Sequence, residues 1–170
     1  MASLVDDLLG VMAKETEGYN KLYDLAQEKR QSIVNRDLET MEGVTSKESD
    51  VTSELKNLEN KRVKILKDMS VVLGKDDETL TVTQVILLLS KQPQEQKALT
   101  DARDELVKAA SNMQFMNTQN QILLNQAMEM VEFDLTLFKS MRQAPETANY
   151  DKNAYNTGDI LPSGGFDAKQ

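Results

Sequence analysis

The residues whose type and spacing best suit chemistry are asparagines and tyrosines, and the chemistry open to them is recognition. Asn117 and Asn120 stand at i and i+3 in "NMQFMNTQNQILLNQAMEMVEF", followed by Leu123 and Leu124. Two amides at that spacing share one side of a helix. There they either interrupt an apolar seam, fixing register and partner, or edge a partly exposed groove that a partner helix completes. Met113, Met116, Met128 and Met130 crowd the same stretch. Such methionines either form an adaptable binding surface or fill a core. Near the C-terminus, Tyr150, Tyr155, Ile160, Leu161 and Phe166 lie among Asn, Asp, Gly and Ser. Spaced hydrophobic residues in a polar segment either dock on a partner or pack back on the chain's own flank.

Catalysis finds little support. The 170 residues include no Cys and no His, which removes thiol nucleophiles, disulfides, the usual zinc ligands and the commonest general base. There is no phosphate-binding loop, Gly-rich dinucleotide turn or nucleophile elbow. Asp76-Asp77 sits in the loop-like "GKDDETL" without the spacing of a calcium loop, and "PSGGF" has no helix after it to hold a phosphate. No enzyme, metal or cofactor is expected. The formal charge of −8 and pI near 4.7 argue against nucleic acid and anionic membranes. The first residues, "MASLVDDLLG", lack a basic region and place two aspartates in the apolar stretch, unlike a secretory signal. The longest apolar run, Val85 to Leu89, is too short to cross a bilayer. The expected location is the cytoplasm.

The elements that must position these residues are helices. Aromatics make up only 5% of the chain and prolines number three, while Leu, Glu, Lys, Gln and Met favour helix. The first helix is expected to start near Ser3 as cap, with Val5, Met12, Tyr19, Ala26 and Ile33 spaced by seven. From Met41 the frame slips by one residue: Val44, Val51, Leu58, Ile65 and Val72 form one row, and Met41, Leu55 and Met69 its neighbour, interrupted by Glu48 and Arg62. A turn at Asn35-Arg36-Asp37, with Asp37 capping a second helix, explains the slip and predicts an antiparallel pair. Gly74 suits the left-handed position that ends the second helix. Thr81 and Gln84 make a capping box for a short buried helix over 82–91. Pro93 opens a long helix to about Arg142, striped by Leu99, Leu106, Ala110, Met113, Leu124, Val131, Phe138 and Met141, and Pro145 stops it. The prediction is an all-α, elongated antiparallel bundle of three long helices and one short helix over 1–143, with breaks near 35–37 and 74–80. Residues 144–170 read as a flexible, client-binding tail.

This order of parts resembles the FlgN-like flagellar export chaperones. The shared features are a hairpin with an N-R-D-L-E turn, a Glu/Lys-rich second helix, a Leu-rich insert, and a long helix with N-x-x-N-x-x-L-L (Asn117, Asn120, Leu123, Leu124). A tail with Y-x-x-G, Tyr155 to Gly158, completes the set. The resemblance implies a non-catalytic cytoplasmic chaperone that binds the hook–filament junction proteins FlgK and FlgL and delivers them to the flagellar export apparatus. It also implies client contacts in the C-terminal part, at Tyr155 and Gly158 by match, with Tyr150, Ile160 and Leu161 added by proximity. The tail continues past the motif to Gln170, and Tyr150 offers a second anchor. The heptad stripes also allow a homodimer, and the competing reading is a self-assembling coiled-coil structural or adaptor protein.

Overall fold

A computed structural model describes residues 2–75 and 80–142; it is all-α, with four helices. In chain order these are α1 (Ala2–Asn35), α2 (Leu38–Val72), α3 (Val82–Leu88) and α4 (Pro93–Arg142). The chain divides into two compact units, Met1–Glu129 and Met130–Gln170.

In the first unit α1 and α2 form the expected antiparallel hairpin, and the turn between them is built from very few residues. Arg36 N–H donates to Ile33 O (3.2 Å) and Asp37 N–H to Ser32 O (2.9 Å), a pattern that ends a helix with a left-handed residue. That residue is Arg36, at φ 57°. Asp37 then caps α2: Oδ1 accepts from Thr40 N–H (3.1 Å) and Oδ2 from the Thr40 hydroxyl (2.6 Å). Both bonds favour the charged carboxylate, and they hold its pKa below the usual value. The other end of α2 repeats the motif with the residue best suited to it. Gly74, at φ 68°, donates to Val71 O and Lys75 N–H donates to Ser70 O. At the N-terminus α1 begins at Ala2, ahead of the expected Ser3 cap; alanine's high helix propensity carries the helix one residue further.

The tightest core lies at the N-terminal end of α1. Val5, Leu8 and Met12 of α1 meet Leu66 and Met69 of α2 and Leu99 of α4. Leu80, Val85, Ile86 and Leu89 close this core from the α3 side. The α3 segment is held there by the predicted capping box, in which Thr81 and Gln84 exchange side-chain-to-backbone bonds of 2.8 and 3.2 Å. It ends at Leu88, with Leu89 as its C-cap, earlier than the expected 91. Farther along the hairpin the two helices approach closely: a Cβ on Gly18 would come within 2.7 Å of Leu55 Cδ2.

The α2 stripe differs from the expected row. Val44, Leu55, Leu66, Met69 and Ser70 are its buried residues, while Val72 is 59% exposed. The row of Met41, Leu55 and Met69 faces inward as much as the other, and its two charged members are partnered across the hairpin. Glu48 takes Lys29 Nζ at 2.8 Å, and Arg62 Nε lies 3.0 Å from Glu15. The same antiparallel register relates both pairs, so the charges that seem to break the stripe belong to the interface.

Candidate partner-binding surfaces

Two surfaces could take a partner, one in each unit. In the first, α1 floors a groove walled by α2 and α4, of about 1020 Å³. It is lined by apolar Leu22 on the floor and Leu55, Leu106 and Met113 on the walls, with charged Arg62 and Arg103. Beneath Arg62 lies Glu15, whose side chain is only 3% exposed. Arg62 Nε sits 3.0 Å from both carboxylate oxygens, but the N–H is directed at Oε1, leaving Oε2 without a hydrogen bond. Burial pushes the Glu15 pKa up, and the hydrogen bond and charge of Arg62 pull it partly back. A buried carboxylate held by one half-exposed guanidinium suits a structural pair. Glu59, 3.9 Å from the Arg62 guanidinium, adds a like charge that also raises the Glu15 pKa.

The asparagines separate. Asn120 is buried, and its Nδ2 donates to Ala26 O of α1 at 2.6 Å, with Oδ1 unpaired. Asn117 is exposed and lies on the groove wall beside Met113. Leu123 and Leu124 are half-buried. The packed stripe of α4 runs through Leu99, Ala109, Met116 and Asn120, and Asn117 is turned off its edge. Asn120 therefore fixes how α4 sits on α1, and Asn117 meets the description of a groove residue. The methionines divide as well: Met116 is buried and Met113 half-buried, whereas Met128 and Met130 are exposed.

The second surface belongs to the second unit. From Met130 to Arg142 every residue of α4 is exposed, including Phe133 (68%), Leu135 (53%), Phe138 (56%) and Met141 (70%). The sequence places Val131, Phe138 and Met141 in an apolar seam; in the structure all three are exposed. At 100° per residue the apolar positions of Met130–Met141 span about 200° of the helix, interrupted by Asp134, with Glu132, Thr136, Lys139 and Ser140 gathered on the remainder. Arg142 places its guanidinium 5.0 Å over the Phe138 ring. Two phenylalanines, two leucines, a valine and two methionines on 13 exposed residues form a patch of the sort that marks an interaction site. The tail residues Tyr150, Tyr155, Gly158, Ile160 and Leu161 lie outside the described residues, as does the 76–79 part of the expected loop.

A family model described as "FlgN protein" matches residues 1–158, more than nine-tenths of the chain. The chain belongs to the FlgN family. The match reaches Tyr155 and Gly158 and stops short of Ile160 and Leu161. Comparison with curated proteins finds no match, and comparison with solved structures finds none. Family membership supports a general role as a flagellar export chaperone. Among the described residues there is no group of acidic side chains that could hold a metal ion, and no helix long and apolar enough to cross a membrane.

Sequence reasoning missed the partnered charges Glu15–Arg62 and Lys29–Glu48. Their only signal is that Glu48 and Arg62 fall in the apolar row at seven-residue spacing from Leu55. It also missed that the apolar face beyond Glu129 stands uncovered, for which the unusual width of the apolar arc is the one available hint.

Proposed function

We propose that this FlgN-family chain is a cytoplasmic export chaperone that binds the hook–filament junction proteins FlgK and FlgL, keeps them from associating prematurely and delivers them to the flagellar export apparatus. The observation that carries this reading is the family match over residues 1–158, together with an apolar helix face that no other part of the described chain covers. A holder of another protein's aggregation-prone segment needs exposed apolar surface and no catalytic group. The face at Met130–Arg142 meets the first requirement. In this reading Tyr150, Tyr155, Gly158, Ile160 and Leu161 extend the client site along the tail. Asn117, Leu123 and Leu124 are separate candidate client contacts on the first unit's part of α4, and Asn120 contributes by holding α4 against α1.

Calorimetric titration against the C-terminal segment of a cognate hook-associated protein tests the proposal. Three forms are compared: the full chain, a truncation ending at Gln143, and the full chain carrying Phe133→Asp with Leu137→Asp. Binding by the full chain that is lost in the truncation assigns the client to the tail. Binding kept by the truncation but lost in the double variant assigns it to the helix face. No binding by the full chain refutes the chaperone reading for that client.

A further inference from the structure

The groove of the first unit has the shape of a helix. On its floor α1 presents Met12, Glu15, Tyr19, Leu22 and Ala26, and from one wall α4 presents Arg103, Leu106, Ala110, Met113 and Asn117. Both rows advance by alternating steps of three and four, the spacing with which one helix meets another. On α2 the row of Leu55, Glu59, Arg62 and Leu66 does the same. From Met12 to Ala26 the floor runs roughly 21 Å at 1.5 Å per residue, a length that suits about four helical turns rather than a small ligand. Among the described helices only α1 and α2 run close together along their backbones, so α4 leaves room above the hairpin. Tyr19, Leu106, Ala110 and Met113 are half-buried there, and Val63 and Val107 form exposed apolar rims.

The floor of this groove is short of one positive charge. Glu15 and Glu59 share Arg62, at 3.0 and 3.9 Å, which leaves the three groups with a single negative charge. Glu15 is the buried member, and its Oε2 accepts no hydrogen bond. The other charges of the groove are matched or in water: Glu48 holds Lys29, Arg103 holds Asp104, and Lys56 is exposed.

We propose that the groove takes an apolar helix of a partner protein that carries one lysine in its seam, with the ammonium donating to Glu15 Oε2. Lysine suits the site better than arginine because Arg62 already occupies Oε1, and a single open acceptor matches a point charge rather than a planar fork. One cation neutralises the Glu15–Glu59–Arg62 group. A second would meet Arg103 and Lys56 without a counter-charge, so the fit is to a monobasic helix and not to a polybasic one. The helix-in-groove mode supplies the remaining contact through the apolar rows. This proposal does not rest on the FlgK and FlgL reading: the groove lies in the first unit and keeps its chemistry whichever surface takes those clients.

Fluorescence anisotropy with two labelled helical peptides of about 15 residues tests it. One has a leucine seam at alternating steps of three and four with a single lysine at its centre; the other has norleucine in place of that lysine. The receptor is the full chain carrying Phe133→Asp with Leu137→Asp, which keeps the probe off the exposed end of α4. The lysine peptide is expected to bind about ten-fold more tightly than the norleucine peptide. Adding Glu15→Gln is expected to bring the two within about two-fold of each other, a loss of preference that a merely structural Glu15 would not produce. Val63→Arg with Val107→Arg, at exposed positions, is expected to weaken the lysine peptide about ten-fold with helix content unchanged by circular dichroism. Equal affinity for the two peptides, or binding of neither, overturns the proposal. Binding indifferent to the rim substitutions places the peptide elsewhere and overturns it too. Binding that appears only after truncation at Gln143 makes the chain's own tail the occupant, and peptide that is displaced as the chain dimerises makes it a second copy; either result overturns the partner helix.

Discussion

At the scale of single residues, the turn between α1 and α2 holds a measurable inefficiency. Arg36 occupies a left-handed position at φ 57°, where a side chain costs about 1 kcal/mol relative to glycine. Arg36→Gly is therefore expected to raise stability by somewhat under that amount, since glycine also gains freedom in the unfolded chain; urea unfolding of the two forms measures it. The Glu15–Arg62 pair makes an opposite demonstration. Arg62→Met leaves a buried carboxylate with no counter-charge and is expected to cost about 2 kcal/mol at neutral pH, a figure kept below that for fully buried pairs because Arg62 is partly exposed. Changing both residues to Met is expected to be near neutral, since the desolvation of Glu15 disappears with its charge. The pH dependence has a definite sign. The Glu15 pKa is raised in the fold, so the neutral acid is the form the fold prefers; its contribution is full below the unfolded pKa and is lost as pH rises through the folded one. The Arg62→Met deficit should therefore shrink on acidification, and unfolding curves at several pH values show whether it does. Asp37 behaves the other way: its lowered pKa gives stability that is present above the unfolded pKa and fades as pH falls through the folded one.

At the scale of elements, local chemistry in the sequence corresponds closely to the helix ends. Asp37, Gly74, Thr81-Gln84 and Pro93 each act through bonds within four residues of themselves, and such short-range signals do not depend on what packs nearby. Thr81→Ala is a direct check. It removes the bond to Gln84 N–H and is expected to cost about 1 kcal/mol, with loss of order concentrated in α3 and in the Leu80–Leu89 cover of the core; thermal unfolding and methyl spectra of Leu80 and Val85 follow it. Stripes were harder to read. Residues i and i+3 differ by about 60° around a helix, enough to put Asn120 under α1 and leave Asn117 outside. The sequence does not say which of the two lies on the inner side of the edge. Glu48 and Arg62 look like interruptions because their partners, Lys29 and Glu15, are identified only by the register of a pairing 19 and 47 residues away in the chain.

For the whole molecule, the sequence reveals helix class, order and breaks, because period and punctuation are repeated along every element. It reveals apolar faces without revealing what covers them. Val131, Phe138 and Met141 have the periodicity of core residues and stand in solvent; only three-dimensional placement separates a face that is filled from one that waits. That distinction matters most for function, since an export chaperone works through surface its own fold leaves unused. The candidate client residues in the tail, from Tyr150 to Leu161, are legible as chemistry. Their contribution is a matter for the truncation at Gln143.

The helix α4 is continuous over 50 residues, yet its backbone amides do not share one fate. From Leu99 to Asn120 they lie in a stripe whose opening would expose buried side chains of the core, whereas from Met130 to Arg142 an opening exposes almost nothing that water does not already touch. Deuterium should therefore enter the last 13 amides at rates close to those of a free peptide helix and enter the packed turns orders of magnitude more slowly. Whatever settles on the outer turns will be visible first as a slowing of exchange confined to them, readable by mass spectrometry on the unmodified chain.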